Sequence, residues 1–344
     1  MKKNLDMTEG KPISLLWAFT FPTLMGNLLN QVYSITDSIV VGRYLGQTAL
    51  AAVGSTMPVI LLLAALMIGI NVGVGIIISR YFGQKNEELM RRAFVNSLYL
   101  GLFLSAGMMV LGLTFSGTIL RWMGTPEGPL QEATAYLEIS FITMICPLMY
   151  YLFSSAFRGL GDSKSPMYFI AVACVANIAL DYLFMGALDL GPAGAALGTT
   201  MAQTVSVAVS LFVILRRDTG IRIHKSDLRP DRLVMGKILG IGIPVTLQDG
   251  FIQVSFILIT VIANRRGLTD AAAVGIVEKI ISFLFLIPSS MLSTVSALGA
   301  QNIGAGKPKR AMAALGYAAA LAGAFGAAAA AAVQLTAEPL VALF

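Results

Sequence analysis

Residues 56–79 read TMPVILLLAALMIGINVGVGIIIS, 24 positions without one charged side chain. As an α-helix at about 1.5 Å per residue this stretch is about 36 Å long, enough to cross the roughly 30 Å hydrocarbon core of a bilayer. The pattern recurs outward in both directions. No charged side chain occurs in Pro12–Thr36, Tyr44–Ser79, Ala93–Leu120, Ile139–Phe157, Leu190–Leu215, Ile280–Gly306 or Ala311–Ala337. Across the 344-residue chain 56% of residues are apolar and 12% charged. Soluble domains run near 45–50% and about 25%. A soluble helix needs a charged face, whereas these helices are apolar all round. The chain therefore reads as an all-α polytopic membrane protein.

Nine spans are expected, at about 13–40, 50–80, 93–116, 133–157, 166–188, 193–216, 236–262, 271–300 and 311–334. Boundaries of this kind carry an error of about 2–4 residues. With the N-terminus in the cytoplasm, the inner segments hold nineteen Lys and Arg residues and the outer segments four. The outer four are Arg43, Arg121, Arg265 and Arg266. This bias keeps its sign from loop to loop, as the positive-inside rule requires. The net charge of +6 thus reflects topology and contact with anionic membrane lipids, not nucleic-acid binding. The expected location is the inner (plasma) membrane of a bacterial cell. No cleavable signal peptide is evident, because the first apolar run is too long and lacks a small-residue cleavage site.

Catalytic signals are weak. Cys146 and Cys174 fall inside expected spans, and the one histidine, His224, lies in a basic loop. No metal-spaced His/Cys cluster, Ser–His–Asp arrangement or phosphate-cradling loop stands out, so no enzyme activity and no resident cofactor are expected. Gly69, Gly73 and Gly75, and Gly191, Gly194 and Gly198, are spaced for close helix packing, which membrane helices need because lipid gives no hydrophobic drive to pair them.

The chain repeats itself. Phe21-Pro22-Thr23 returns as Ile243-Pro244-Val245, and Gln31 returns as Gln253. After a one-residue deletion Ala51-Ala52-Val53-Gly54 returns as Ala272-Ala273-Val274-Gly275, and Arg80-Tyr81-Phe82-Gly83 aligns with Gln301-Asn302-Ile303-Gly304. Spans 1–3 thus correspond to spans 7–9 in the same orientation, a parallel repeat of the kind found in two-lobed secondary transporters. The division expected is an N-lobe at 1–216 (six spans, complete), a basic cytoplasmic linker at 217–236 and a partial C-lobe at 237–344 with about three of six spans. On this reading the chain is C-terminally truncated after Phe344: a fragment, a truncated gene product, a mis-called reading frame or a natural short form working with a partner.

Two acids stand inside apolar spans: Asp37 in span 1 and Asp181 in span 5. A charged Asp at the bilayer centre costs about 2.5–3.5 kcal/mol on insertion scales, which makes each a functional candidate. Asn177 precedes Asp181 by one helical turn and so shares its face. Such a group can hold a proton, or bind a small cation with help from neutral oxygens.

Asp37-Ser38-Ile39-Val40-Val41-Gly42-Arg43-Tyr44-Leu45-Gly46 with Leu50-Ala51-Ala52-Val53-Gly54, Arg158-Gly159-Leu160-Gly161-Asp162 with Pro166, and Gln301-Asn302-Ile303-Gly304-Ala305-Gly306-Lys307 with Arg310-Ala311 resemble, in order and spacing, the multidrug and toxic compound extrusion (MATE) family, and more narrowly its DinF-like branch. The resemblance implies two six-helix bundles facing each other in a V, working as a monomer. It implies export of small cationic or amphipathic molecules by exchange for H⁺ or Na⁺. Residue by residue it implies ion coupling at Asp37, Asn177, Asp181 and Thr199, with these four as the ligands if the ion is Na⁺, and bending of the first helix at Pro22. Another branch places an essential Glu in span 7, where this chain has Gln253, and an Asp in span 10. Candidate cavity residues are Asn30, Gln31, Tyr33, Asn71, Met201 and Gln253. Two alternatives are a lipid-linked or polysaccharide flippase of the same superfamily and a non-transporting fragment. The scarcity of internal Lys and Arg in the first six spans favours cationic cargo.

Overall fold

The computed structural model describes residues 6–125, 127–216 and 223–337. Ten α-helices make up the described residues: α1 Pro12–Gly83, α2 Glu87–Trp122, α3 Glu127–Ile142, α4 Ile145–Gly159, α5 Lys164–Asp181, α6 Gly191–Arg216, α7 Arg232–Arg266, α8 Leu268–Leu284, α9 Leu286–Gly304 and α10 Pro308–Leu335. Among the described residues eight spans are long and apolar enough to cross a membrane, or nine if the bent pair α3–α4 is one span. Part of the expected linker, 217–222, lies outside the described residues, as does the chain beyond 337.

The element α1 departs most from expectation. It holds spans 1 and 2, Pro12–Tyr44 and Thr56–Gly83, and the backbone stays helical between them where a loop was expected. The connection is rich in Leu, Gln and Ala and contains no proline, so it has the propensity to remain helical. A straight 72-residue helix would be about 108 Å long, over three times the bilayer core. It is not straight, because both ends meet at Gln301. The Met7 amide just before α1 donates to Gln301 Oε1 at 3.3 Å, and Gly83 at its far end abuts the Gln301 carbonyl.

Two expected spans are each divided by a proline. Pro147 cannot donate to Thr143, and the chain breaks between Ile142 and Ile145, with α3 and α4 bent by 46°. Pro288 cannot donate to Leu284, and the break falls at Phe285. In both places the missing N–H and the ring clash one turn upstream end the preceding helix. Pro22, Pro58 and Pro244 remain within continuous helices.

The repeat reappears in the packing. Thr20 Oγ1 donates to Thr294 Oγ1 at 2.9 Å, joining α1 to α9. At the equivalent positions, Gly73 packs on the backbone of Gly242, joining α1 to α7. Likewise Gly83 abuts Gln301 while its counterpart Gly304 abuts Arg80. Each contact and its partner are exchanged by the repeat, as across a two-fold axis.

The basic end of the bundle is tied by polar contacts. Lys307 and Arg310 donate to the carbonyls of Thr8 and Glu9, and Asn302 donates to the carbonyl of Met7. Nearby, Asp227 is buried and pairs with Arg91 at 3.0 Å, while also accepting from the His224 amide. Burial pushes its carboxyl up, but the His224 amide and the Arg91 guanidinium outweigh this and hold it below the usual carboxylate range. Stability from this pair is therefore complete above the unfolded value near 3.9 and is lost as pH falls through the lower folded value. Asp227→Asn is expected to cost about 2–3 kcal/mol at pH 7, less than the 3–5 of a fully buried pair, because Arg91 keeps some water. Thermal unfolding at pH 7 and pH 3 checks this, and the gap between variant and wild type should narrow at pH 3.

Candidate functional site

The first six spans bring Asp37 and Asp181 together. Asp181 is the last residue of α5 and is fully buried. It is followed by one turn of π-helix, Tyr182–Ala187, a local widening that is frequent at functional sites. One turn before it, Asn177 is also fully buried and donates from Nδ2 to Asp181 Oδ1 at 3.1 Å. Asp37 reaches across from α1 to within hydrogen-bonding range of Asp181. The expected face-sharing of Asn177 and Asp181 is thus present, and α1 adds the second acid.

The unpaired atoms define the chemistry. Asp37 Oδ1, Asp181 Oδ2 and Asn177 Oδ1 are all buried, and none accepts a hydrogen bond from a described residue. All three are acceptors. A buried polar atom without a partner calls for an explanation, and three acceptors in one cluster call for a positive one. Two carboxylates cannot both stay charged and unsatisfied in a buried site, so the arrangement is suited to a proton or a small cation.

Thr199 enters indirectly. It lies beside Tyr33, whose buried hydroxyl makes no well-aligned hydrogen bond. Tyr33, expected in the substrate cavity, sits in the electrostatic field of both acids, and so does Tyr136 from α3. Tyr136 carries no signal in the sequence, since nothing there relates α3 to α5. Gly198 was read as a packing residue. Its packing partner is the acid itself: a Cβ there would collide with Asp181 Oδ1.

The other expected positions scatter. Pro22 is buried within α1 and borders a cavity with Asn30. Asn71 is buried, and its amide donates to the carbonyl of Met67 in its own helix. Gln31 and Gln253 are half-buried, and Met201 is exposed. Thr200, next to Thr199, bonds Thr143 at 2.8 Å and so ties α6 to the break between α3 and α4. Among the described residues no cluster of three or more His, Cys, Asp or Glu is placed to hold a metal.

The MatE family model matches residues 22–183 and 244–344. The chain is 31% identical over 310 residues to the "Probable multidrug resistance protein YoeA" of Bacillus subtilis (strain 168), covering 87% of this chain and 67% of that protein. It is also 31% identical over 314 residues to the "Probable multidrug resistance protein YpnP" of the same organism, covering 90% of this chain and 69% of that one. A crystal structure of a MATE protein in complex with MaL6 superposes with a TM-score of 0.92 at 24% identity, covering 99% of this chain and 76% of that chain. With the acids paired inside a helical membrane bundle, a repeat visible in sequence and packing, and a family match over most of its length, the chain belongs to the MatE family of multi-pass membrane transporters.

Proposed function

We propose that this protein exports small cationic or amphipathic compounds in exchange for H⁺ or Na⁺, with the ion held at Asp37, Asn177 and Asp181. The observation that carries the reading is the cluster of three buried, unpaired oxygen acceptors contributed by those residues. A cation there pairs with carboxylate oxygens that no described residue satisfies, and a cationic substrate competes for the same negative charge. Competition of this kind makes exchange a consequence of electrostatics. Pro22 leaves α1 one backbone hydrogen bond short near its start, which lets that helix bend as Asp37 changes partners. The names of YoeA and YpnP agree with drug export. The basic bias supports a cytoplasmic N-terminus for a chain working in the plasma membrane.

The test is exchange in liposomes. Uptake of a fluorescent organic cation is driven by an imposed pH or Na⁺ gradient. Asp37→Asn and Asp181→Asn, which keep shape but remove charge, are each expected to lower the driven rate about 100-fold or more, the scale of losing about 3 kcal/mol of ion binding. Asp249→Asn, half-buried in α7 and remote from the cluster in sequence, serves as a control. Wild-type rates in both cluster variants would sink the proposal. The gradient that drives uptake identifies the ion.

A further inference from the structure

Arg158 lies in the last turn of α4, half-buried, and makes no ion pair among the described residues. It borders a cavity of about 50 Å³ in the basic half of the bundle, lined also by Thr23, Asn27, Asn30, Tyr150, Tyr151 and Ser163. Arg158 shares the wall of this cavity with both phenols. Tyr151 and Asn30 share the cavity wall. Asp162, the nearest acid in sequence, is committed to the start of α5. Its Oδ1 accepts from the amides of Lys164 and Ser165, and its Oδ2 accepts from the Ser165 hydroxyl at 2.6 Å. Asn27 ties the same cavity to α9, donating to Ser290 Oγ at 2.9 Å.

The balance of groups here is the inverse of the acid cluster. Arginine carries five N–H donors and no acceptor, and cannot shed its charge. The phenols, the serine hydroxyl and the asparagine amides each add a donor, while no carboxylate borders the cavity. A half-buried charge with no protein partner attracts a counter-ion, and a polar cavity of this size holds a few waters or one small ion. We propose that this cavity binds a small monovalent anion, a halide or a carboxylate the size of acetate, on the Arg158 guanidinium. Arg158 supplies the charge, and Asn30, Tyr151 and Ser163 supply neutral donors around it. A planar, rigid donor fork suits a carboxylate as well as a halide.

The inference stands apart from ion coupling at Asp37 and Asp181, and the experiment keeps the two separate by fixing Na⁺ and pH. Purified protein is heated in sodium gluconate, whose anion is too large for the cavity, and then in sodium chloride, bromide or acetate at equal ionic strength. The unfolding midpoint is expected to rise by about 2–4 °C in the small anions, the shift for a ligand at about ten times its dissociation constant. Arg158→Gln should abolish the rise, whereas Asp37→Asn should retain it. A wild type that responds to none of the small anions, or an Arg158→Gln protein that responds as wild type does, overturns the proposal. Should Arg158→Gln not fold, crystals of the wild-type protein grown in bromide decide the matter. An anomalous peak beside Arg158 supports the site, and its absence there rejects it.

Discussion

Gly83→Ala is expected to lower the thermal midpoint of the purified protein by about 4 °C. A Cβ at this position collides with the Gln301 carbonyl and stands within 3 Å of its Cα. These are backbone atoms, so no rotamer change relieves the clash and the α1–α9 crossing must widen. Forced overpacking of this kind costs about 1–3 kcal/mol, and a backbone neighbour puts it at the upper end. For a protein of this size, with an unfolding entropy of about 0.7 kcal/mol/K, that upper end corresponds to about 4 °C. Gly304→Ala should behave alike, since its Cβ meets the Arg80 backbone across the same crossing. Because either substitution alone separates the two helices, the double variant should lose less than the sum of the singles. A loss equal to the sum would mean that the glycines belong to independent contacts. Gly316→Ala in α10 is the control: nothing lies within 4 Å of its Cβ, and the midpoint should hold or rise slightly.

Gly198→Ala is expected to weaken ion binding at the proposed coupling site by about 10–100-fold with a smaller loss of stability, the range seen when a group that orients a metal ligand is altered. The new methyl collides with Asp181 Oδ1, the oxygen that Asn177 holds. Here the neighbour is the end of a side chain, so the carboxyl swings away and the helices stay in place. The change therefore falls on the site more than on the fold. It is read as a shift in the Na⁺ concentration or pH that half-drives liposome exchange, at a nearly unchanged unfolding midpoint. Unchanged ion dependence in a folded Gly198→Ala protein would mean that the carboxylate can move without consequence. A midpoint drop as large as that of Gly83→Ala would assign Gly198 to helix packing alone.

These glycines show where reading the chain reached its limit. Gly69, Gly73 and Gly198 were all recognisable as close-approach residues from their spacing. Gly69 and Gly73 do meet α7, at Thr246 and Gly242, whereas Gly198 meets an acid. Spacing on a helix reports that something comes near, not what it is. The same limit applies to Thr199, which the family resemblance marked as an ion ligand and which the fold sets beside Tyr33. The two proline breaks are of another kind. Pro147 and Pro288 were visible, but prolines are tolerated in membrane helices, and only packing decides which ones interrupt the backbone.

By itself the sequence determined the membrane-spanning class, the parallel repeat and the presence of Asp37 and of the Asn177–Asp181 pair within apolar spans. Each is a local property: charge-free length, self-similarity or one helical turn. Only the tertiary structure decided that α1 folds back so that both its ends meet Gln301, that Asp37 faces Asp181, that Tyr136 and Gly198 border them, and that Arg158 lines a cavity without a carboxylate. Those facts join residues far apart in the chain, and in a bundle of uniformly apolar helices no pattern along one helix specifies which face meets which neighbour. Close packing of small residues and the pairing of a few costly polar groups settle that choice.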